Sequence, residues 1–201
     1  MRAALSLALL QPACSERFNA GKDPLTEDGG SGDGGTPLGA DLPPVDEDLD
    51  ITGCEEVSGS ALPGAAVYFI GTYAQGSDGW QGWEEVRLFA NQTWRDNGGA
   101  DCSLVWTVSA SEAGTGSCGN CDLGLAVSAV MDIGATTCDE EHREGEESFS
   151  TTYGIDLVDD STHSVWYFAE TGNAFGQGNA LAEGSSPQAM NFVSSKTCWW
   201  F

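Results

Sequence analysis

An all-β fold is what this chain predicts: an antiparallel β-sandwich or, in the alternative, an open barrel, of about eight strands braced by disulfides. Three observations carry the prediction. Apolar and polar residues alternate at period two in several segments, turn-forming residues separate those segments, and no stretch repeats apolar residues at helical spacing. The 27 glycines among 201 residues fall in and between the turns, as expected of short strands joined closely in sequence.

Val67–Tyr73 and Glu84–Ala90 are the first candidate strands. In Cys102–Ala110, Cys102, Leu104, Trp106, Val108 and Ala110 share one face, while Ser103, Thr107 and Ser109 occupy the other beside Val105. That alternation marks a strand with one face buried. Leu123, Leu125, Val127, Ala129 and Met131 repeat it, and so do Phe149, Thr151, Tyr153, Ile155 and Leu157. Ser164–Glu170 alternates Trp166 and Phe168 with Val165 and Tyr167, which reads as a strand covered on both faces. Ala189–Ser194 is the last candidate. The globular domain therefore spans 51–201.

Residues 14–50 offer almost nothing to bury. Glu27–Gly35 has flexible-spacer composition, and Leu42–Asp50 is acidic and stiffened by Pro43 and Pro44. Such a segment cannot offset its own ordering entropy. It reads as a disordered tether of about 36 residues with a root-mean-square span of roughly 30–35 Å, further extended by charge repulsion.

Ahead of it, Arg2 and the apolar run Ala3–Leu10 lead through Gln11, Pro12 and Ala13 to Cys14. A cysteine closing a short apolar leader resembles the signal of a bacterial lipoprotein, with Ala13 in the small position directly before the cysteine. An apolar run of about eight residues is too short to span a bilayer, which needs roughly twenty. The resemblance implies that 1–13 is a signal peptide and that Cys14 carries lipid as the mature N-terminus. It further implies that Ser15 permits sorting to the outer membrane. The protein would then reside in the cell envelope of a Gram-negative bacterium, outer-membrane-anchored or extracellular, with the membrane as partner through its lipid.

The net charge is -24, from seven basic and 31 acidic residues. Such a surface repels phosphates, and no Lys/Arg cluster exists to neutralise them, which excludes nucleic acid as a partner. It also disfavours docking on anionic lipid by charge. Solubility is the ordinary use of this excess.

The chain holds seven cysteines. Lipid on Cys14 leaves six, an even number that suits three disulfides in an oxidising compartment. Six cysteines allow fifteen connectivities, which the strand pattern narrows. A hairpin of Cys102–Ala110 with Cys121–Met131, closed by Ser111–Asn120, brings Cys102 near Cys138 and sets Cys118 and Cys121 together at the turn. Cys54 and Cys198 then staple the two ends of the domain. A rival is zinc, because Cys118-x2-Cys121 and Cys138-x3-His142 imitate a ligand spacing. Against it, an intervening strand of about ten residues separates the pairs by roughly 30 Å. A redox-active Cys118–Cys121 pair lacks the strand-to-helix setting of such motifs.

Catalytic signals are thin, and no enzyme is expected. Ser117 in Thr115–Gly119 departs from a nucleophile elbow at Thr115, where glycine is needed, and it sits in a turn. His163 follows Asp159 and Asp160, and His142 lies in the acidic run Asp139–Glu147; both settings read as solvated turns. No cofactor is expected. Calcium is the alternative, bound loosely at Asp139–Glu147 or Asp159–Asp160. Asp46–Asp50 copies the opening of an EF-hand, but Ile51 and Val57 stand where glycine and glutamate are required.

Trp106 reads as core, and one ring among Trp199, Trp200 and Phe201 is expected to pack on the adjacent disulfide. Trp80 and Trp83 lie in a Gly-rich segment read as a loop, where exposed rings beside Asp78 and Gln81 make a sugar-stacking platform. Two functions follow from these features: a non-enzymatic surface lipoprotein serving as a binding or structural module, and a carbohydrate-binding or adhesion domain using Trp80 and Trp83. Partners are then a glycan or a surface protein. An exported hydrolase built on Ser117 or His163 ranks behind both.

Overall fold

The computed structural model describes residues 42, 49–50, 54, 62–115, 118–159, 164–168, 174–183 and 186–200, with the side chains of 158–175 and 182–186 outside the description. Cys14, the apolar leader 1–13 read as a signal peptide, most of the segment 14–50 read as a tether, Ser117 and His163 lie outside the described residues.

The fold is all-β, antiparallel and disulfide-braced. Among the described residues nine strands form one sheet: β1 (Gly64–Gly76), β2 (Gly79–Ala90), β3 (Cys102–Ala113), β4 (Leu123–Met131), β5 (Ser148–Asp159), β6 (Ser164–Phe168), β7 (Ala174–Glu183), β8 (Ser186–Ser194) and β9 (Thr197–Trp200). Their order is β2-β3-β4-β5-β6-β7-β8-β1-β9, and β1 also pairs with β2. The sheet thus curls on itself in an up-and-down meander of eight strands, so the barrel form is the one adopted.

Closure depends on how β1 is shared. Along its C-terminal half, Ile70–Ala74 pairs with β8, and along its N-terminal end Gly64–Val67 pairs with β9. Phe69 falls between the two ladders, and its N–H is satisfied by the Ser194 hydroxyl at 2.9 Å. A buried side chain therefore replaces the missing ladder bond, as a buried backbone donor requires.

Two faces are covered. Inside the barrel, Val67, Tyr73, Trp80, Leu88, Leu104, Trp106, Val108, Leu125, Val127, Ile155, Met190 and Phe192 form the main core. Outside, Cys54, Ala66, Tyr68, Ile70, Trp83 and Val193 form a second cluster against which Leu49 packs. The end of the acidic segment is thus fastened to the barrel wall. The Tyr68 hydroxyl donates to the Asp50 carbonyl at 3.1 Å, and Lys196 Nζ meets Asp50 Oδ2 at 2.6 Å. Contact with the domain begins before Ile51.

Disulfides join Cys54 to Cys198, Cys102 to Cys138 and Cys118 to Cys121, the same three pairs that the strand geometry selects. The cysteines of the zinc-like spacing are therefore held in two separate bridges.

Among the described residues two short helices interrupt the β pattern. α1 (Gln92–Asp96) starts at Asn91, whose side chain accepts the Trp94 N–H at 2.8 Å. The same buried side chain accepts from Gly64 N and donates to the Leu62 carbonyl. Asn91→Ala is expected to cost about 2 kcal/mol, the upper end for a lost cap, because it also strips the Gly64 and Leu62 contacts. A urea midpoint shift at constant m-value checks it. α2 (Glu140–Arg143) is capped by Asp139, with Glu140 and Glu141 in its first turn and His142 and Arg143 in its last, matching the helix dipole.

Candidate functional site

In the barrel interior, Glu84 stands where the sheet pattern calls for an apolar residue. Val86, Leu88 and Ala90 alternate along β2 with outward residues, and Glu84 stands on their inward face. It is 5% exposed. Its Cα partners are Gly71 on β1 and Trp106 on β3. The Tyr73 hydroxyl, from β1, donates to Glu84 Oε1. The Tyr153 hydroxyl, from β5, donates to Oε2 at 3.3 Å. Strand β5 is three places from β2 around the ring, so this bond reaches across the barrel.

Phe192 of β8 packs against both tyrosines. Its ring stacks on Tyr73 at 6.3 Å and meets Tyr153 edge-on at 6.1 Å. Such aromatic contacts hold the two hydroxyls in place. The Glu84 pKa is pushed up to about 7 from 4.5 because burial penalises the carboxylate, while the bonds from Tyr73 and Tyr153 pull it back down. Because the folded-state value lies above the unfolded one, the stability is complete below about pH 4.5. It is lost as pH rises towards 7, by roughly 3 kcal/mol in all. Chemically the cluster takes up and releases a proton near neutrality. Trp80 Nε1, on the same inward face, has no hydrogen-bond partner among the described residues.

Trp80 and Trp83 do not form an exposed platform. Ser77 and Asp78 make a two-residue hairpin turn, so both tryptophans lie within β2 rather than in a loop. Gly79 follows at φ +112°, a conformation that favours glycine. Spaced three apart on a strand, the rings face opposite sides. Trp80 enters the main core at 2% exposure, and Trp83 enters the outer cluster at 7%. This corrects the stacking-platform expectation.

The acidic run Asp139–Glu147 is mostly exposed but is anchored at two points. His142 Nδ1 lies 2.6 Å from Asp139 Oδ1, and its ring packs against Trp94 at 5.3 Å. The hydrogen bond from His142 holds the Asp139 carboxyl below its usual value. Glu146 is buried, and its carbonyl accepts the Trp106 Nε1–H at 2.7 Å. The loop therefore docks on the core. Burial, and then the neighbouring Glu147 charge, raise the Glu146 pKa. Among the described residues no three His, Cys, Asp or Glu side chains are grouped to hold a metal ion.

Comparison with known proteins finds no matching family, no similar curated protein and no similar solved structure.

Proposed function

We propose that this protein is an exported, non-enzymatic module of the bacterial cell envelope, tethered by lipid on Cys14 and serving as a binding or structural domain. The observation that carries the reading is the cysteine pairing. Three disulfides use all six cysteines of the domain and leave Cys14 as the odd one at the end of the apolar leader. Disulfides of this number belong to an oxidising compartment.

The barrel's polarity fits an aqueous setting. Thr107, Ser109, Ser111 and Ser128 are exposed on its outer face while the interior is apolar, the reverse of a lipid-spanning barrel. Membrane attachment is then the task of the lipid, and the acidic segment spaces the domain from the surface. Burial of Trp80 and Trp83 leaves the carbohydrate-platform reading without support from those rings.

The test is fractionation in a Gram-negative host. The full-length protein is expected to pellet with membranes and to need detergent for release, whereas Cys14→Ser is expected in the soluble fraction. A wild-type chain that is soluble, or a Cys14→Ser variant that still pellets, would sink the proposal.

A further inference from the structure

We propose that the outer face of β1, β2 and β8 is a docking socket whose occupant is the chain's own segment at Leu49 and Asp50, held there as a releasable cap over an apolar patch. Outward side chains of a barrel in water are ordinarily polar, as Thr107, Ser109 and Ser128 are on β3 and β4, where they are exposed. On β1, β2 and β8 the outward residues Ala66, Tyr68, Ile70, Trp83 and Val193 are apolar or aromatic, and all five are buried. Ile70 and Val193 are Cα partners across β1 and β8, so the patch is continuous over that ladder. Left open, such a patch favours association with another apolar surface.

The socket matches Leu49 and Asp50 at three points. Leu49 packs against the apolar cluster. The hydroxyl of the buried Tyr68 donates to the Asp50 carbonyl at 3.1 Å. Lys196 Nζ meets Asp50 Oδ2 at 2.6 Å. An apolar floor, a backbone-directed donor and a cation together select an apolar side chain followed by an acid. The chain has seven basic residues against 31 acidic ones, which makes a cation at this spot a selective element. Leu42 is buried as well, so engagement of the segment is not confined to Leu49.

Cys54, four residues after Asp50, is bridged to Cys198. The cap therefore stays beside the socket at high effective concentration and outcompetes the same segment of a second copy. Its ionic contact is partly exposed and weakened by salt, so the cap opens locally while the barrel keeps its ladders. The socket stands on the domain alone and is independent of the export reading.

The test uses the full-length Leu49→Asp variant, the neutral apolar dye Nile red, and a synthetic peptide of residues 45–52. The variant is expected to bind the dye where the wild type does not. The peptide at millimolar concentration is expected to displace the dye, and a peptide carrying Leu49→Asp is expected to leave it bound. A variant that binds no dye, or dye that both peptides displace equally or neither displaces, overturns the proposal. Should Leu49→Asp fail to fold, Lys196→Glu replaces attraction by repulsion at the socket rim. It is expected to speed amide exchange at Leu49 and Asp50 about fivefold, with β1 amides changed less than about twofold. Unchanged exchange there, or a rise shared equally by β1, overturns it.

Discussion

Replacing both Cys54 and Cys198 with serine is expected to cost about 5 kcal/mol, the largest effect of any disulfide here. This bridge closes 144 residues of sequence, against 36 for Cys102–Cys138 and three for Cys118–Cys121. In the chain-entropy picture the two smaller loops contribute about 4 and about 2 kcal/mol. The Cys54–Cys198 bridge also fastens β9 and the segment around Asp50 to the outer cluster, so its loss frees that packing as well. Urea denaturation of the three double-serine variants checks the order, with m-values reporting any change in compactness. An equal or larger loss on removing Cys118–Cys121 would contradict it.

Trp106→Ala is expected to cost about 4 kcal/mol, and Trp106→Phe about half of that. The indole is 1% exposed and meets Phe149 edge-on at 5.5 Å. Its Nε1–H is what satisfies the Glu146 carbonyl, so alanine leaves a cavity and a buried acceptor without its donor. Phenylalanine refills most of the space but not the hydrogen bond. The loop 139–147 is expected to exchange amide hydrogens faster in both variants, because the bond that docks it is gone in both. Denaturation midpoints together with exchange over that loop check the prediction. Full protection of the loop in Trp106→Phe would show that the bond does not hold it.

Much of the fold was legible because one face of each long strand is buried. Cys102–Ala110 and Leu123–Met131 alternate so regularly that period two identifies both their strands and their inward faces. The ends of the hairpin they form paired Cys102 with Cys138 and Cys118 with Cys121, and Cys54 and Cys198 were the pair that remained. Strand β7 was not legible for a physical reason. It carries glycine where an apolar residue is expected, and a Cβ at Gly178 would lie 1.8 Å from the Asn191 carbonyl oxygen. The backbones approach too closely there for the usual signal to exist. Strand β9, at four residues, is too short for a period to show.

The candidate site was half legible. Glu84–Ala90 was legible as a strand, but its faces were not assigned and Glu84 was not singled out; burial of Val86, Leu88 and Ala90 is what shows that Glu84 shares the inward face. Its tyrosine partners were not legible, since Tyr153 reaches Glu84 across the ring and only the curl of the sheet brings them together. Trp80 and Trp83 were misread because Gly76–Gly79 was taken into a longer loop. Ser77 and Asp78 followed by glycine form a two-residue turn that continues the strand through both rings. The acidic run is largely exposed, as composition suggests, but its cap at Asp139 and its buried Glu146 were not legible because both arise from backbone geometry.

The central claim, an exported domain with six paired cysteines and a seventh that carries lipid, is tested most directly by the intact mass of the chain from its own membranes, before and after reduction and alkylation. The expected result is a chain that begins at Cys14, bears acyl groups, and gains six alkyl groups only after reduction. A chain that retains Met1 and alkylates without reduction would contradict it.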